Sequence, residues 1–265
     1  MKTLHVFTIL IFLSIATGYN ETRHLSIATG GITLIDIDCG AGFLKITGDP
    51  NTDKIEVIAD INVEGYNLKE SLNIAEDYLE LTLKRRGKRI VLVSRFIDYR
   101  KDFSFSFLKW LFHGGKSGQT RVNLTVVIPE NIAVMIDDGS GFIDVKNIHS
   151  GMELEDGSGS ITLKNMSGSI IIDDGSGSIQ GLNIIGKIDI DDGSGSILLS
   201  DFDGDIIIDD GSGGIELSDI TGNIRLWDGS GDISVRRVKG NVTIVDDGSG
   251  DVDIRKVEGE INRMD

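Results

Sequence analysis

From residue 132 onward, apolar and polar positions alternate in short runs that return every 18 residues. One apolar column holds Ile143, Ile161, Ile179, Ile197, Ile215, Ile233 and Val252, and two residues on stand Val145, Leu163, Gly181, Leu199, Leu217, Val235 and Ile254. A third column is Ile148, Met166, Ile184, Phe202, Ile220, Val238 and Val257, followed by glycines at 168, 186, 204, 222, 240 and 259. The unit closes on Met152, Ile170, Ile188, Ile206, Ile224, Val242 and Ile261, with Leu154, Ile172, Ile190, Ile208, Leu226 and Ile244 two residues later. Between units the tetrapeptide Asp-Gly-Ser-Gly starts at Asp138, Asp156, Asp174, Asp192, Asp210, Asp228 and Asp247, five times at a spacing of 18 and once at 19.

Alternation over runs this short is a strand signal. Each unit reads as a strand, a turn near the glycine column, a second strand and the Asp-Gly-Ser-Gly turn. One such unit cannot bury its apolar face alone, but stacked units bury a continuous row. The expected architecture is all-β: a β-solenoid of about seven 18-residue coils over residues 130–265. At about 4.8 Å per coil the stack runs roughly 30–35 Å, and each fully buried Ile is worth about 1.5–3 kcal/mol. A reversal within four residues calls for positive φ at the first turn glycine, Gly193 in the central coil, and the preceding Asp can accept the N–H groups that follow it.

The N-terminal third alternates less regularly. Ile35-x-Ile37-x-Cys39, Leu44-x-Ile46, Ile55-x-Val57-x-Ala59-x-Ile61 and Leu79-x-Leu81-x-Leu83 precede Val122-x-Leu124-x-Val126-x-Ile128. Residues 19–129 therefore read as longer, irregular strands that cap one end of the stack, where an open coil would leave a strand edge. Residues 1–18 pair Lys2 with an apolar run over 4–16 and a small-x-small close at Ala16-Thr17-Gly18, the pattern of a secretory signal cut near Gly18. The chain is thus expected to be exported, extracellular or held in the cell envelope.

An unlike segment, residues 84–117, interrupts the cap. Residues 84–101 carry eight basic side chains against one acid, and an aromatic-rich run follows. Either it is a long hairpin with solvated cations and core-covering aromatics, or Arg85, Arg86, Arg89, Phe105, Phe107 and Trp110 form a patch for an anionic membrane surface or a partner. Charge sharpens the division: residues 130–265 hold 28 acids and 10 bases, the first 129 hold 14 and 16. A net charge of −16 argues against nucleic acid as a partner.

The single Cys, at 39, excludes an internal disulfide framework and any multi-Cys metal centre. Seven copies of one Ser cannot each be a nucleophile, and no His recurs at the repeat period to act as base, so no catalytic residues are assigned. A polysaccharide lyase of the β-helix type is disfavoured, because an 18-residue coil leaves no deep groove. No cofactor is implied. The one metal to weigh is Ca²⁺: the turn carboxylates Asp174, Asp192 and Asp210 stand in a ladder with a second acid before each, although neither an EF-hand nor a nonapeptide Ca²⁺ roll is matched. The other reading makes them turn formers, satisfied by backbone N–H groups and solvent.

The order of parts resembles the putative-adhesin (toast-rack) β-strand-repeat domains of bacterial and archaeal envelope proteins. The matching residues are the strand over 34–38 with residues 40–48, the run Val122-Asn123-Leu124-Thr125-Val126-Val127-Ile128-Pro129, and the Gly-Ser-Gly-x-Ile-x-Leu units with their downstream Gly-x-Ile-x-Ile. The resemblance covers residues 30–262. It implies a non-enzymatic, adhesin-like surface scaffold whose partners are envelope macromolecules, protein or glycan, with stress-response or membrane-associated relatives as the alternative role. It implies no catalytic residues.

Overall fold

The computed structural model describes residues 18–97 and 118–264, together with the backbone of residues 7–10. Most of the expected leader lies outside the described residues; Phe7–Leu10 runs as a short strand, β1, antiparallel to β2 (Gly18–Ala28). Then follow β3 (Leu34–Asp49), β4 (Lys54–Glu64), α1 (Leu68–Asp77), β5 (Leu79–Arg86), β6 (Arg89–Phe96) and β7 (Gln119–Pro129). The repeat region opens with β8 (Ala133–Lys146), β9 (Met152–Asp156), β10 (Gly159–Asp174), β11 (Gly177–Asp192) and β12 (Gly195–Asp203). It closes with β13 (Ile206–Asp210), β14 (Gly213–Thr221), β15 (Ile224–Asp228), β16 (Ile233–Val238), β17 (Val242–Asp246), β18 (Val252–Val257) and β19 (Ile261–Arg263).

The chain is a β-solenoid of about seven turns. Strands of successive coils pair in parallel, each residue opposite its counterpart 18 positions on, or 19 in the last coil: Ile161 faces Ile179, Ile172 faces Ile190, Leu199 faces Leu217. The apolar columns face inward, from Ile143 to Ile244, as one continuous core. Each coil turns at three corners. In β10 they are Asn165 (φ 55°), Gly168 (φ 103°) and the turn after Asp174. The Asn165 corner recurs at Asn147, Asn183, Asp201, Asp219, Arg237 and Lys256, all with φ of 53–59°. Asn tolerates this left-handed conformation better than most residues. The amides also link the coils: Asn165 Nδ2 donates to Asn147 Oδ1 at 3.0 Å, and Asn183 Nδ2 to Asn165 Oδ1 at 2.9 Å.

Three features differ from the sequence reading. First, residues 34–49, assigned to the cap, form a full coil: β3 pairs in register with β8 from Leu34↔Ala133 to Thr47↔Lys146. On its other edge β3 pairs with β6 and β7, and β2, β4 and β5 complete the cap through antiparallel pairs. Second, the cap contains a helix. Asn67 begins α1 by accepting the Glu70 N–H at 3.0 Å while Glu70 reaches back to the Asn67 N–H, and Ile74 and Ala75 pack with Val63 and Tyr66. Third, positive φ falls on the second turn glycine, not the first, in every coil but the last, where Gly248 has φ 44°. Gly195 has φ 151°, and a Cβ there would stand 1.4 Å from the Gly177 carbonyl oxygen. Gly193 is required instead by closeness alone, its Cβ position lying 2.6 Å from the Gly175 oxygen.

Candidate functional site

Period-two alternation carries the inward face two residues past the last apolar position before each Asp-Gly-Ser-Gly turn, and from Asp138 to Asp228 that inward residue is an aspartate. Asp138, Asp156, Asp174, Asp192, Asp210 and Asp228 are 1–5% exposed and stack in register through the interior. The column continues into the cap: Cys39 lies opposite Asp138, and Ser94 opposite Cys39. In each coil one carboxylate oxygen is held, because Oδ1 of Asp156, Asp174, Asp192, Asp210 and Asp228 accepts the N–H of the Ser two residues on at 3.0–3.2 Å. The other oxygen, Oδ2, is buried without a hydrogen-bond partner in all six.

The turn-former reading thus holds for Oδ1, which backbone N–H groups satisfy, but not for Oδ2, which is buried away from bulk solvent. A buried acceptor without a donor costs about 1–3 kcal/mol, and unit charges about 4.8 Å apart repel by about 3–4 kcal/mol at an effective dielectric near 20. Burial is the main cause that raises the carboxyls, to about 7 at Asp138 and about 6 at Asp174, Asp192 and Asp210. The Ca²⁺ candidates Asp174, Asp192 and Asp210 thus point into the core. Among the described residues, no cluster of three or more His, Cys, Asp or Glu side chains is disposed to hold a metal ion.

The neighbouring acids point outward. Asp38, Asp137, Glu155, Asp173, Asp191 and Asp209 form a second, outer row in register, which ends where Trp227 replaces the acid. In the last coil the extra residue shifts the pattern: Asp246 pairs opposite Trp227 and holds the Gly248 N–H at 3.0 Å, while Asp247 pairs with Arg263.

The basic candidates lie on the β5–β6 hairpin. Arg85 donates to the Gly30 carbonyl at 2.7 Å, Arg89 meets Asp36 at 3.2 Å, and Arg86 is exposed beside them. Arg95, which sequence reasoning did not single out, bridges Asp38 and Glu80. Part of the head's positive charge thus neutralises the first carboxylates of the rod. Phe105, Phe107 and Trp110 lie outside the described residues.

A groove of about 730 Å³ marks the junction of cap and rod, lined by Phe43, Phe142, Gln119, Arg121, Asn123 and Ser140 among others. Phe43 and Phe142 are register partners, and Phe142 is 40% exposed. Lys45 Nζ lies 4.7 Å from the Phe43 ring centroid, and Arg121 pairs with Glu64 at 2.7 Å. The sequence carried a signal for this groove: Gly42-Phe43 and Gly141-Phe142 hold aromatics where later coils have Gly159-Ser160 and Gly177-Ser178.

The Toastrack DUF4097 family model matches residues 97–264, the whole described repeat region. The chain belongs to this family. Its Toastrack fold is similar to three solved structures, each at low identity. A "putative cell adhesion protein" from Clostridium sporogenes ATCC 15579 is 14% identical, with 92% of this chain and 98% of that one covered and a TM-score of 0.31. A "putative adhesin" from Bacteroides fragilis NCTC 9343 is 11% identical over 91% and 96%, with a TM-score of 0.27. A "putative lipid binding protein" from Parabacteroides distasonis ATCC 8503 is 11% identical over 92% and 94%, with a TM-score of 0.33. No curated protein matches the chain.

Proposed function

We propose that this Toastrack protein is a non-catalytic, exported surface or envelope scaffold, adhesin-like, whose rod displays the cap–rod junction to a macromolecular partner, protein or glycan. The observation that carries the reading is the junction groove. It is an open groove with the register partners Phe43 and Phe142 on one wall and the side chains of Gln119, Asn123 and Ser140 around them. The register-locked coils behind it are a rigid support, as binding surfaces on solenoids require. Export rests on the leader pattern of residues 1–18.

The test is retention of envelope components on the immobilised mature protein, compared with the double variant Phe43→Ala/Phe142→Ala. Removing residues 84–117 is a poor comparison, because it deletes β6, whose Ile90 and Leu92 are fully buried. Loss of a saturable partner in the folded double variant supports the reading; unchanged retention moves recognition to the rod faces. N-terminal sequencing of the protein from cells tests cleavage near Gly18.

A further inference from the structure

The interior aspartate column belongs to no surface that a partner could touch, so it needs its own account. Six carboxyl groups, repeated once per coil from Asp138 to Asp228, lie in an Ile- and Leu-rich core with one oxygen each unpartnered. Two arrangements relieve such a column: a cation between the coils, or protons on the carboxyls. The residues favour protons. No group of three or more metal-ligating side chains assembles among the described residues, and Oδ1 is already committed to a Ser N–H in five coils.

The charged neighbours point the same way, because they are acidic. Along the column each Asp meets the Asp above and below. From the outer row Asp173, Asp191 and Asp209 add to Asp174, Asp192 and Asp210, and Asp232, Asp246 and Asp247 act on Asp228. At the cap end Asp138 meets the Cys39 thiol, a neutral donor, and Asp156. A stack of ionised carboxylates with no facing cation, each with a dry oxygen, is the least stable state open to it.

We propose that the interior aspartate column is a proton-binding site, a ladder of coupled carboxyl groups that holds protons in the folded rod and makes the rod firmer as the surroundings acidify. Its ligand is the proton. The raised carboxyls agree with this: unfolded Asp titrates near 4, whereas burial pushes Asp138 up to about 7 and Asp174, Asp192 and Asp210 up to about 6, and raises Asp156 and Asp228 as well. Between those values the folded chain binds more protons than the unfolded chain, so stability is greatest at the acid end of the window and falls as pH rises through 6–7. Interacting groups lose their protons in shared steps, so the column titrates over a broad range and not at one value. The inference is independent of which partner the junction groove takes.

The experiment follows the carboxyl carbons of the mature protein, labelled at Asp, by carbon-13 NMR from pH 4 to 8.5, together with Tm over the same range. Measurements at 0.5 M salt screen the exposed outer row but not the interior column. The expected result is at least four Asp signals, those of Asp138, Asp174, Asp192 and Asp210, titrating above pH 5.5, a Tm that falls between pH 5 and 8 at high salt, and proton uptake when the chain refolds at pH 5.5. Asp192→Asn should flatten that fall, while Asp191→Asn, its exposed neighbour, should not. The inference is overturned if all Asp carbons titrate near 4, or if Tm at high salt rises from pH 5 to 8. A Ca²⁺-dependent gain in Tm at pH 8, abolished by chelator and by Asp192→Asn, overturns it in favour of a cation in the column. If Asp192→Asn fails to fold, the carbon-13 titration of the unaltered protein still decides.

Discussion

Cys39 lies one strand from Asp138, in register with it, and so heads the interior carboxyl column with a thiol. The two residues are almost 100 positions apart in the chain and share one inward-facing site in adjacent coils. Burial, and then the Asp138 carboxyl, push the Cys39 thiol well above its ordinary range.

A thiol that is both buried and kept protonated should be inert, since the thiolate is the reactive form. Cys39 is 8% exposed. We expect an aromatic disulfide reagent at pH 8 to modify it at least about 100-fold more slowly in the folded protein than in urea. Rapid stoichiometric labelling of the native chain would contradict its placement.

The second turn glycine should tolerate no side chain. Gly195 combines φ 151° with a backbone oxygen where Cβ would go, and no rotamer relieves a Cβ clash. Gly195→Ala should cost at least about 3 kcal/mol by urea unfolding. The control is Gly214, whose added Cβ meets only the Asp232 oxygen at 3.9 Å and whose counterpart one coil earlier is Ser196. Gly214→Ser should lie within about 0.5 kcal/mol of the parent.

Much of this was legible because the repeat copies one decision seven times. Ile161, Ile179 and Ile197 report the same inward face, so errors in any one coil are outvoted. The same alternation also placed Asp174 inward, two residues after Ile172 and four after Ile170. The preference of an acid for the surface points the other way, and register wins because a one-residue slip would expose every Ile on the strand. The cap was less legible because it has a single copy. Residues 34–49 lack the Asp-Gly-Ser-Gly mark, with Cys39-Gly40-Ala41-Gly42 in its place, so the coil they form shows only through pairing. The helix was announced by Asn67 and Glu70, a capping pair three residues apart that strand patterning passed over. The junction groove joins β3, β7 and β8, which no local pattern brings together.

The corner ladder of asparagines stops at Asp201, and chemistry says it can be extended. Asp201 has φ 53°, the conformation of Asn183 one coil earlier, and Asn183 Nδ2 donates to Asn165 Oδ1 in the coil before it. In Asp201→Asn the new Nδ2 takes the donor role that Asn183 Nδ2 plays toward Asn165. One added exposed hydrogen bond should raise Tm by about 1–2 °C at pH 7. A lower Tm would show that the corner amides do not bind across coils.

In a stack where each coil touches only its neighbours, the cost of a cavity depends on its height along the rod. Ile190 is 1% exposed and has counterparts on both sides, Ile172 below and Ile208 above. Ile190→Ala should therefore cost about 2–5 kcal/mol. Ile254 is only partly buried, in the last coil, with Val235 on one side; Ile254→Ala should cost less than about half as much. Ile171, 49% exposed on the outer face next to Ile172, supplies the baseline, and Ile171→Ala should stay within about 0.5 kcal/mol. Urea midpoints give the ranking, and hydrogen exchange should show the loss at Ile190 spreading to coils on both sides while the loss at Ile254 stays at the end. Equal costs at Ile190 and Ile254 would mean that the coils are not coupled as a one-dimensional stack.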